Sequence, residues 1–250
     1  MKKAIFLCVL LLLAVLPLFS FVDSYGFLKE NETYCALVQA LRHDGDEEEG
    51  MRLYAELKEM EPEGYTTEQT VALQCKAATS LARYQVMEAQ PKNTENAKAI
   101  LLDALEKARK LEKDTFFRLT LEADIQSVRF LADMGDLGSG IASNSALNKA
   151  FKLFPDEYYA VFLKANTQLF APGIYGGNTR EGCNRMIELY TGIGSEIARW
   201  DYASLLSCIG IACYKLKDYE NAKGYLTAAK TLYPVDSQVD EYLAKKELKK

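Results

Sequence analysis

Side chains that commonly perform catalysis or bind metals are few or poorly spaced in this sequence. His43 is the only histidine among 250 residues, so neither a Ser-His-Asp triad nor a multi-histidine metal site is expected. Acidic residues follow it at Asp44 and at positions 46–49, without the spacing of a calcium-binding loop. Carboxylates are also favoured at the start of a helix by its dipole. We therefore expect no enzymatic activity, no cofactor and no metal site.

Two glycine-rich segments could hold an anionic group on backbone amides. Residues 135–140 are not followed by the lysine of a phosphate-binding loop, so they predict a turn between helices. In residues 171–178, Asn178 is expected to cap a helix whose first amides, with Arg180 nearby, could hold an anion. The glycines there also suit a tight turn, and this structural interpretation is favoured.

Aromatic residues are dense between positions 151 and 175. Exposed aromatic side chains in a groove are typical anchors for a binding partner. Buried ones simply fill the core between packed elements. Both interpretations stay open for each of these residues.

The composition is that of a folded protein without a basic surface. Apolar residues make up 49% and charged residues 26% of the chain, which excludes disorder as the main state. The 30 Lys and Arg against 35 Asp and Glu give a net charge of −5. Nucleic acid is therefore not expected as a partner.

Apolar residues recur at helical spacing and predict antiparallel helix pairs. The clearest pair lies in residues 206–234, where Gly210 and Ala222 are small enough for two helices to cross closely. Residues 34–62 repeat its internal spacing. Between the two copies, helices are predicted over residues 67–88, 96–111, 115–134, 144–154, 157–170 and 179–190. A last helix is predicted over residues 238–249.

These two copies resemble the tetratricopeptide repeat (TPR), whose pattern is W-x2-L-G-x2-Y, then A-x3-F, then P. The matching residues are Leu206, Ile209, Gly210, Cys213, Ala222, Leu226 and Pro234, and in the first copy Tyr34, Leu37, Val38, Leu41, Gly50, Tyr54 and Pro62. The resemblance implies an all-α, right-handed solenoid of about five helix pairs with a C-terminal capping helix. The domain covers residues 25–250, and its clearest repeats are 31–64 and 203–236. Each step takes roughly 43 residues, against about 34 in the family, so helices or loops are lengthened.

In TPR proteins the first helix of each pair lines a concave groove that receives peptides or helices. The resemblance therefore implies a non-enzymatic scaffold that binds a protein or peptide partner. Carried over by spacing, the partner-binding residues are the apolar anchors Tyr159, Phe162, Phe170 and Tyr214 and the polar selectors Arg42, Asn166 and Lys215.

The loop at residues 171–178 resembles one in the TPR component associated with TRAP solute transporters. The alternative function is therefore a solute-handling protein that binds a small apolar ligand in an aromatic-lined cavity and passes it to a transporter. The chain departs from that group because it has no cysteine placed for lipid attachment.

The amino terminus predicts export from the cytoplasm. Lys2 and Lys3 precede an apolar run over residues 4–19, which is typical of a signal peptide. We expect residues 1–24 to be removed by a cut after Ser24, with Ser20 as the weaker option, and a periplasmic or secreted protein. The alternative is an uncleaved membrane anchor over residues 4–22. Five cysteines remain after the cut, and we favour free thiols over a structural disulfide.

Overall fold

The chain folds into α-helices that pack in adjacent pairs. The structure is a computed structural model that describes residues 21–173 and 176–249. The predicted signal peptide falls mostly on residues 1–20, outside the described residues, as do Ile174, Tyr175 and Lys250. The helices of the described part are α1 (Glu32–Gln39), α2 (Glu47–Lys58), α3 (Thr67–Met87), α4 (Thr94–Arg109), α5 (Phe116–Ala132), α6 (Leu137–Leu153), α7 (Tyr158–Phe170), α8 (Thr179–Gly192), α9 (Arg199–Lys215), α10 (Tyr219–Leu232) and α11 (Ser237–Leu243).

Each pair is formed by an odd-numbered helix and the helix that follows it, from α1 with α2 to α9 with α10. The odd-numbered helices, called first helices below, also contact one another from pair to pair. This arrangement is consistent with an α-solenoid and confirms the all-α prediction. Successive first helices begin 35 to 49 residues apart, so the pairs differ in length. Within the described ranges, none of the helices combines the length and the hydropathy needed to span a bilayer.

Most helix starts are set by a local signal in the sequence. A capping side chain accepts a hydrogen bond from a backbone amide three residues later, which satisfies a group that the helix itself leaves unpaired. Such a cap contributes about 1 kcal/mol. The capping residues are Asn31, Asp46, Thr66, Thr115, Asp136, Asn178, Asp218 and Asp236. The predicted cap at Asn178 is therefore confirmed, and the acidic residues after His43 lie at the start of α2 as expected.

Two predicted helix boundaries were wrong. The turn predicted over residues 135–140 ends at Asp136, and α6 begins at Leu137, seven residues before its predicted start. Asp136 caps this helix, and Gly140 lies against the ring of Phe130, where a Cβ would be 3.3 Å from Cδ2. Cap and packing together outweigh the low helix propensity of these glycines. The last helix ends at Leu243 and is followed by a 3-10 turn at Lys246–Leu248.

Helices α9 and α10 pack closely against each other at Gly210. A Cβ at this position would lie 2.7 Å from Leu226 Cγ and 3.1 Å from the Leu226 backbone nitrogen. Ala222 is fully buried in the same helix pair. The prediction of a close crossing at Gly210 is confirmed.

Replacing Gly210 with Ala is expected to lower the free energy of unfolding by about 1–3 kcal/mol, because a packed crossing must open to admit the methyl group. The matched control is Gly224→Ala in α10, where no atom lies within 4 Å of the new Cβ. That change is expected to stabilise by up to about 1 kcal/mol through helix propensity. Urea denaturation of wild type and the two variants measures both changes in the free energy of unfolding. Equal stabilisation by the two substitutions would contradict the close packing at Gly210.

Residues 21–25 are part of the packed structure. The Val22 amide donates to the Asp156 carbonyl at 2.9 Å, and the Val22 carbonyl accepts from the Tyr158 amide at 2.8 Å. Ser24 Oγ donates to Glu157 Oε1 at 2.6 Å. Tyr25 is buried. A cut after Ser24 would remove the first three of these contacts, whereas a cut after Ser20 would keep them.

A chain that begins at Phe21 is expected to be more stable than one that begins at Tyr25 by about 1–2 kcal/mol. The three hydrogen bonds of Val22 and Ser24 are partly exposed, so each contributes near the lower end of about 0.5–1.5 kcal/mol. Urea denaturation of the two purified chains measures the difference. Equal midpoints would show that the contacts of Val22 and Ser24 add no stability.

Candidate functional site

The two ends of the solenoid contact each other. Arg42 Nη1 donates to the Trp200 carbonyl at 2.9 Å and to Ser204 Oγ at 3.1 Å, and the Val235 amide donates to the Arg42 carbonyl at 3.0 Å. Ser237 donates through its amide and its hydroxyl to the Glu88 carboxylate, both at 3.0 Å. These contacts join the last helices to the first ones, so the first helices surround a central space.

That space is a cavity of about 250 Å³, called the inner cavity below, with walls from α1, α3, α5, α7, α9 and the start of α11. Its charged lining residues are Arg42, Lys76, Arg83, Glu88, Asp124, Asp201 and Asp236. Its aromatic lining residues are Tyr34, Tyr84, Tyr159, Phe162 and Trp200. The inner cavity therefore combines an aromatic wall with a high density of charge.

Asp124 and Lys76 form a buried ion pair at its centre. Asp124 Oδ2 accepts from Lys76 Nζ at 2.9 Å and from the Tyr159 hydroxyl at 2.8 Å, while Oδ1 accepts from Arg83 Nη2 at 3.1 Å. Lys76 Nζ also lies 4.1 Å from the centroid of the Tyr159 ring, a cation–π contact. Asp124 thus has three donors on its two oxygens.

The pKa values of this group indicate fixed charges. Burial opposes the ionised form of Asp124, but Lys76 and Arg83 outweigh it and lower its pKa to about 2. Burial likewise opposes the charge on Lys76, yet Asp124 keeps the pKa of this ammonium above its usual value. Burial, with the nearby carboxylates, raises the pKa of Tyr159 well above 10. At neutral pH these groups do not exchange protons, so they favour positioning over acid–base catalysis.

Asp201 is the charged lining residue without a partner in the described structure. It lies in the first turn of α9 and lines the inner cavity. The residue is half-buried, and neighbouring charges, but no hydrogen bond from a described residue, act on its carboxylate. Burial raises its pKa to about 6, against the opposing effect of Lys76. At neutral pH the inner cavity therefore contains an ionised carboxylate without a donor.

The structure brings four of the seven predicted partner-binding residues to the inner cavity: Arg42, Tyr159, Phe162 and Asn166. Tyr159 and Phe162 are only 7% and 9% exposed, so most of each ring packs in the core. Asn166 Nδ2 lies 3.5 Å from Cys208 Sγ.

The other three predicted residues lie away from the inner cavity. Lys215 Nζ donates to the Leu169 carbonyl at 2.7 Å and stands 4.8 Å from the centroid of the Phe170 ring. The Tyr214 hydroxyl donates to Glu247 at 3.0 Å in the C-terminal 3-10 turn. Each of the three has partners within the chain, and their role in binding stays a prediction.

Sequence reasoning missed Lys76, Asp124 and Asp201. A signal was present for Asp124, which lies three residues after Leu121 and four before Val128 on the apolar stripe of α5. A charged residue on such a stripe indicates a buried, paired charge. The partners could not be identified in this way, because Lys76 and Arg83 belong to another helix.

The five cysteines of the described residues are free thiols. Burial raises the pKa of Cys75 and of Cys208 to about 12, so neither is an activated nucleophile. A hydrogen bond with Cys213 lowers the pKa of Cys183. These thiols lie outside the charged centre, except Cys208, which lines the inner cavity.

The inner cavity can hold a small polar molecule, with fixed charges of both signs and one free carboxylate. Across the described residues, no group of three or more His, Cys, Asp or Glu side chains is arranged to hold a metal ion. A scan against protein-family models, a search of curated proteins and a search of solved structures found no match to this chain.

Proposed function

We propose that this protein is an exported, non-enzymatic, TPR-like solenoid of right-handed twist that binds a small polar solute in the inner cavity. The adjacent helix pairs and the two copies of the TPR spacing support the repeat assignment. The apolar run after Lys2 and Lys3 supports export.

The contact between the two ends of the solenoid is the main observation in support of solute binding. Arg42 donates to Trp200 and Ser204, and Ser237 donates to Glu88, so the two ends of the helical array meet around a partly open inner face. A volume of about 250 Å³ is just below the usual range of small-molecule pockets, which is roughly 300–1,000 Å³. This size suits a small solute better than an extended peptide or a partner helix.

The charges of the lining favour a polar solute over the apolar one that the sequence suggested. An apolar ligand would remove water from Asp201 without offering it a donor. Leaving a buried polar or charged group unpaired is costly. A solute with hydrogen-bonding groups of its own avoids this cost.

The resemblance of residues 171–178 to a loop of the TRAP-associated component supports a role in solute handling, with a transporter as the receiving partner. In the described part of this loop, the Gly177 amide donates to the Pro172 carbonyl at 3.1 Å and the Asn178 amide to the Gln168 carbonyl at 2.7 Å. These bonds hold the loop close to the end of α7.

A scaffold function has separate support on the outer surface. Leu137 and Ile141 are 66% and 71% exposed, and their spacing of four residues places them on one face at the start of α6. Met134, which is 70% exposed, lies in the turn just before this helix. Exposed apolar residues that adjoin in this way are typical of contacts with a partner protein.

Native mass spectrometry of the protein purified from its own source tests the proposal. Leu163 lines the inner cavity, and Leu163→Trp is expected to fill part of it. The matched control is Leu153→Trp, at a position 47% exposed at the end of α6. Alanine substitutions at Tyr159 or Phe162 are avoided because both side chains are largely core.

We expect wild type and Leu153→Trp to carry a small-molecule mass that is lost in folded Leu163→Trp. A co-purified protein with no small adduct would instead support the scaffold. If all three proteins show only the mass of the polypeptide, with no bound small molecule or protein, solute binding is contradicted.

A further inference from the structure

We propose that Asp201 is the counter-ion for a primary ammonium group of the bound solute, so that the ligand class is a small organic amine. This inference rests on the proposed function and specifies its ligand.

Asp201 differs from the other carboxylates of the inner cavity because each of those has a donor. Asp124 accepts from Lys76, Arg83 and Tyr159. Glu88 accepts from the amide and hydroxyl of Ser237. Asp236 accepts from the Val239 amide at 2.9 Å and from Ser207 Oγ at 3.4 Å. No equivalent donor from a described residue reaches Asp201.

The nearby cations of the chain are already engaged elsewhere. Lys76 donates to Asp124 and Tyr159, and Arg42 donates to Trp200 and Ser204. Asp23, from the amino-terminal segment, and Asp124 both add negative charge near Asp201. Lys76 and Arg42 lower the pKa of Asp201, and Asp23 and Asp124 raise it, but none of them gives it a hydrogen bond. Asp201 therefore keeps spare acceptor capacity towards the inner cavity.

A primary ammonium is the complementary group. An ionised carboxylate only accepts hydrogen bonds, and an ammonium offers three N–H donors. Such charge-assisted bonds are about twice as strong as neutral ones. The wall beside Asp201 includes Trp200, whose ring centroid lies 5.5 Å from that of Tyr34. These rings can pack against the short alkyl part of the amine and face its cation.

The pairing predicts a pH window for binding. An alkylammonium group has a pKa near 10.4, as in a lysine side chain, and the pKa of Asp201 is about 6. Both partners are charged between these values. Affinity is therefore expected to fall about tenfold for each pH unit below 6, as Asp201 becomes protonated.

The test compares n-butylamine with its neutral analogue 1-butanol on the purified full chain, by calorimetry and thermal unfolding at pH 8. The variants are Asp201→Asn and, as a matched control, Asp103→Asn. Asp103 lies on α4, pairs with Lys58 at 3.6 Å and does not line the inner cavity.

We expect n-butylamine, but not 1-butanol, to bind and stabilise both wild type and Asp103→Asn, with affinity at least tenfold lower in Asp201→Asn. Equal binding of amine and alcohol, or equal amine binding by Asp201→Asn, would overturn the inference. A native adduct without a cationic nitrogen would overturn it while leaving solute binding intact. Absence of both adduct and amine binding would overturn both proposals.

Discussion

Replacing Lys76 with Met is expected to lower the free energy of unfolding by about 3–5 kcal/mol, the usual cost of removing one partner of a buried ion pair. Lys76 and Asp124 have side chains only 12% and 4% exposed. Without Lys76, Asp124 keeps Arg83 and the Tyr159 hydroxyl, but Arg83 is 48% exposed and its charge is screened by water. A buried carboxylate would then lack its principal counter-ion.

A double substitution separates the ion pair from packing. Lys76→Met with Asp124→Leu removes both charges, and it is expected to recover much of the stability lost in Lys76→Met, because an apolar pair of similar size often replaces a buried ion pair without loss. Lys149→Met, which breaks the exposed pair with Asp114, is the control and should change little. Urea denaturation of the four chains measures these effects. Equal losses in Lys76→Met and Lys149→Met would show that Asp124 does not depend on Lys76.

Replacing Asp201 with Asn is expected to raise the free energy of unfolding at pH 8 by roughly 2–3 kcal/mol, since each pKa unit corresponds to about 1.4 kcal/mol. The pKa of Asp201 is about 6 in the folded chain, against an ordinary value of 3.8. The folded state therefore binds this proton more tightly than the unfolded state does. The contribution of Asp201 to stability is present below pH 4 and is lost as the pH rises through 6.

The measurement is urea denaturation of wild type and Asp201→Asn at pH 4, 6 and 8. We expect the two curves to lie close together at pH 4 and to separate as the pH rises, with Asp201→Asn the more stable. The control is Asp103→Asn, which removes a carboxylate outside the inner cavity. A less stable Asp201→Asn at pH 8 would show that the folded chain supplies Asp201 with a favourable partner.

The two predictions concern two carboxylates of one cavity in different surroundings. Asp124 is tolerated in the folded state because Lys76 and Arg83 neutralise it, whereas Asp201 destabilises the fold because the cost of its burial outweighs the favourable effect of Lys76 and Arg42. Functional sites commonly retain such unfavourable groups when a ligand compensates for them. A bound amine is therefore expected to reduce the stability gap between wild type and Asp201→Asn at pH 8.

The sequence by itself determined the helices and most of their ends. Helical periodicity is local, and caps such as Thr66 and Asn178 act over three residues, so both can be identified without knowing the fold. The close crossing at Gly210 followed from the repeat pattern. The glycines at 138 and 140 were misassigned to a turn because local propensity was outweighed by the cap at Asp136 and by packing against Phe130.

Only the tertiary structure decided which side chains form the site. Lys76 and Asp124 are 48 residues apart, and Asp201 lies on a third helix. Helical spacing places each of them on a face of its own helix but contains no information on which faces meet. The three residues are brought together where α3, α5 and α9 meet around the inner cavity. Charge pairing and pKa values depend on burial and on distances across the fold, so they arise only when the inner cavity is formed.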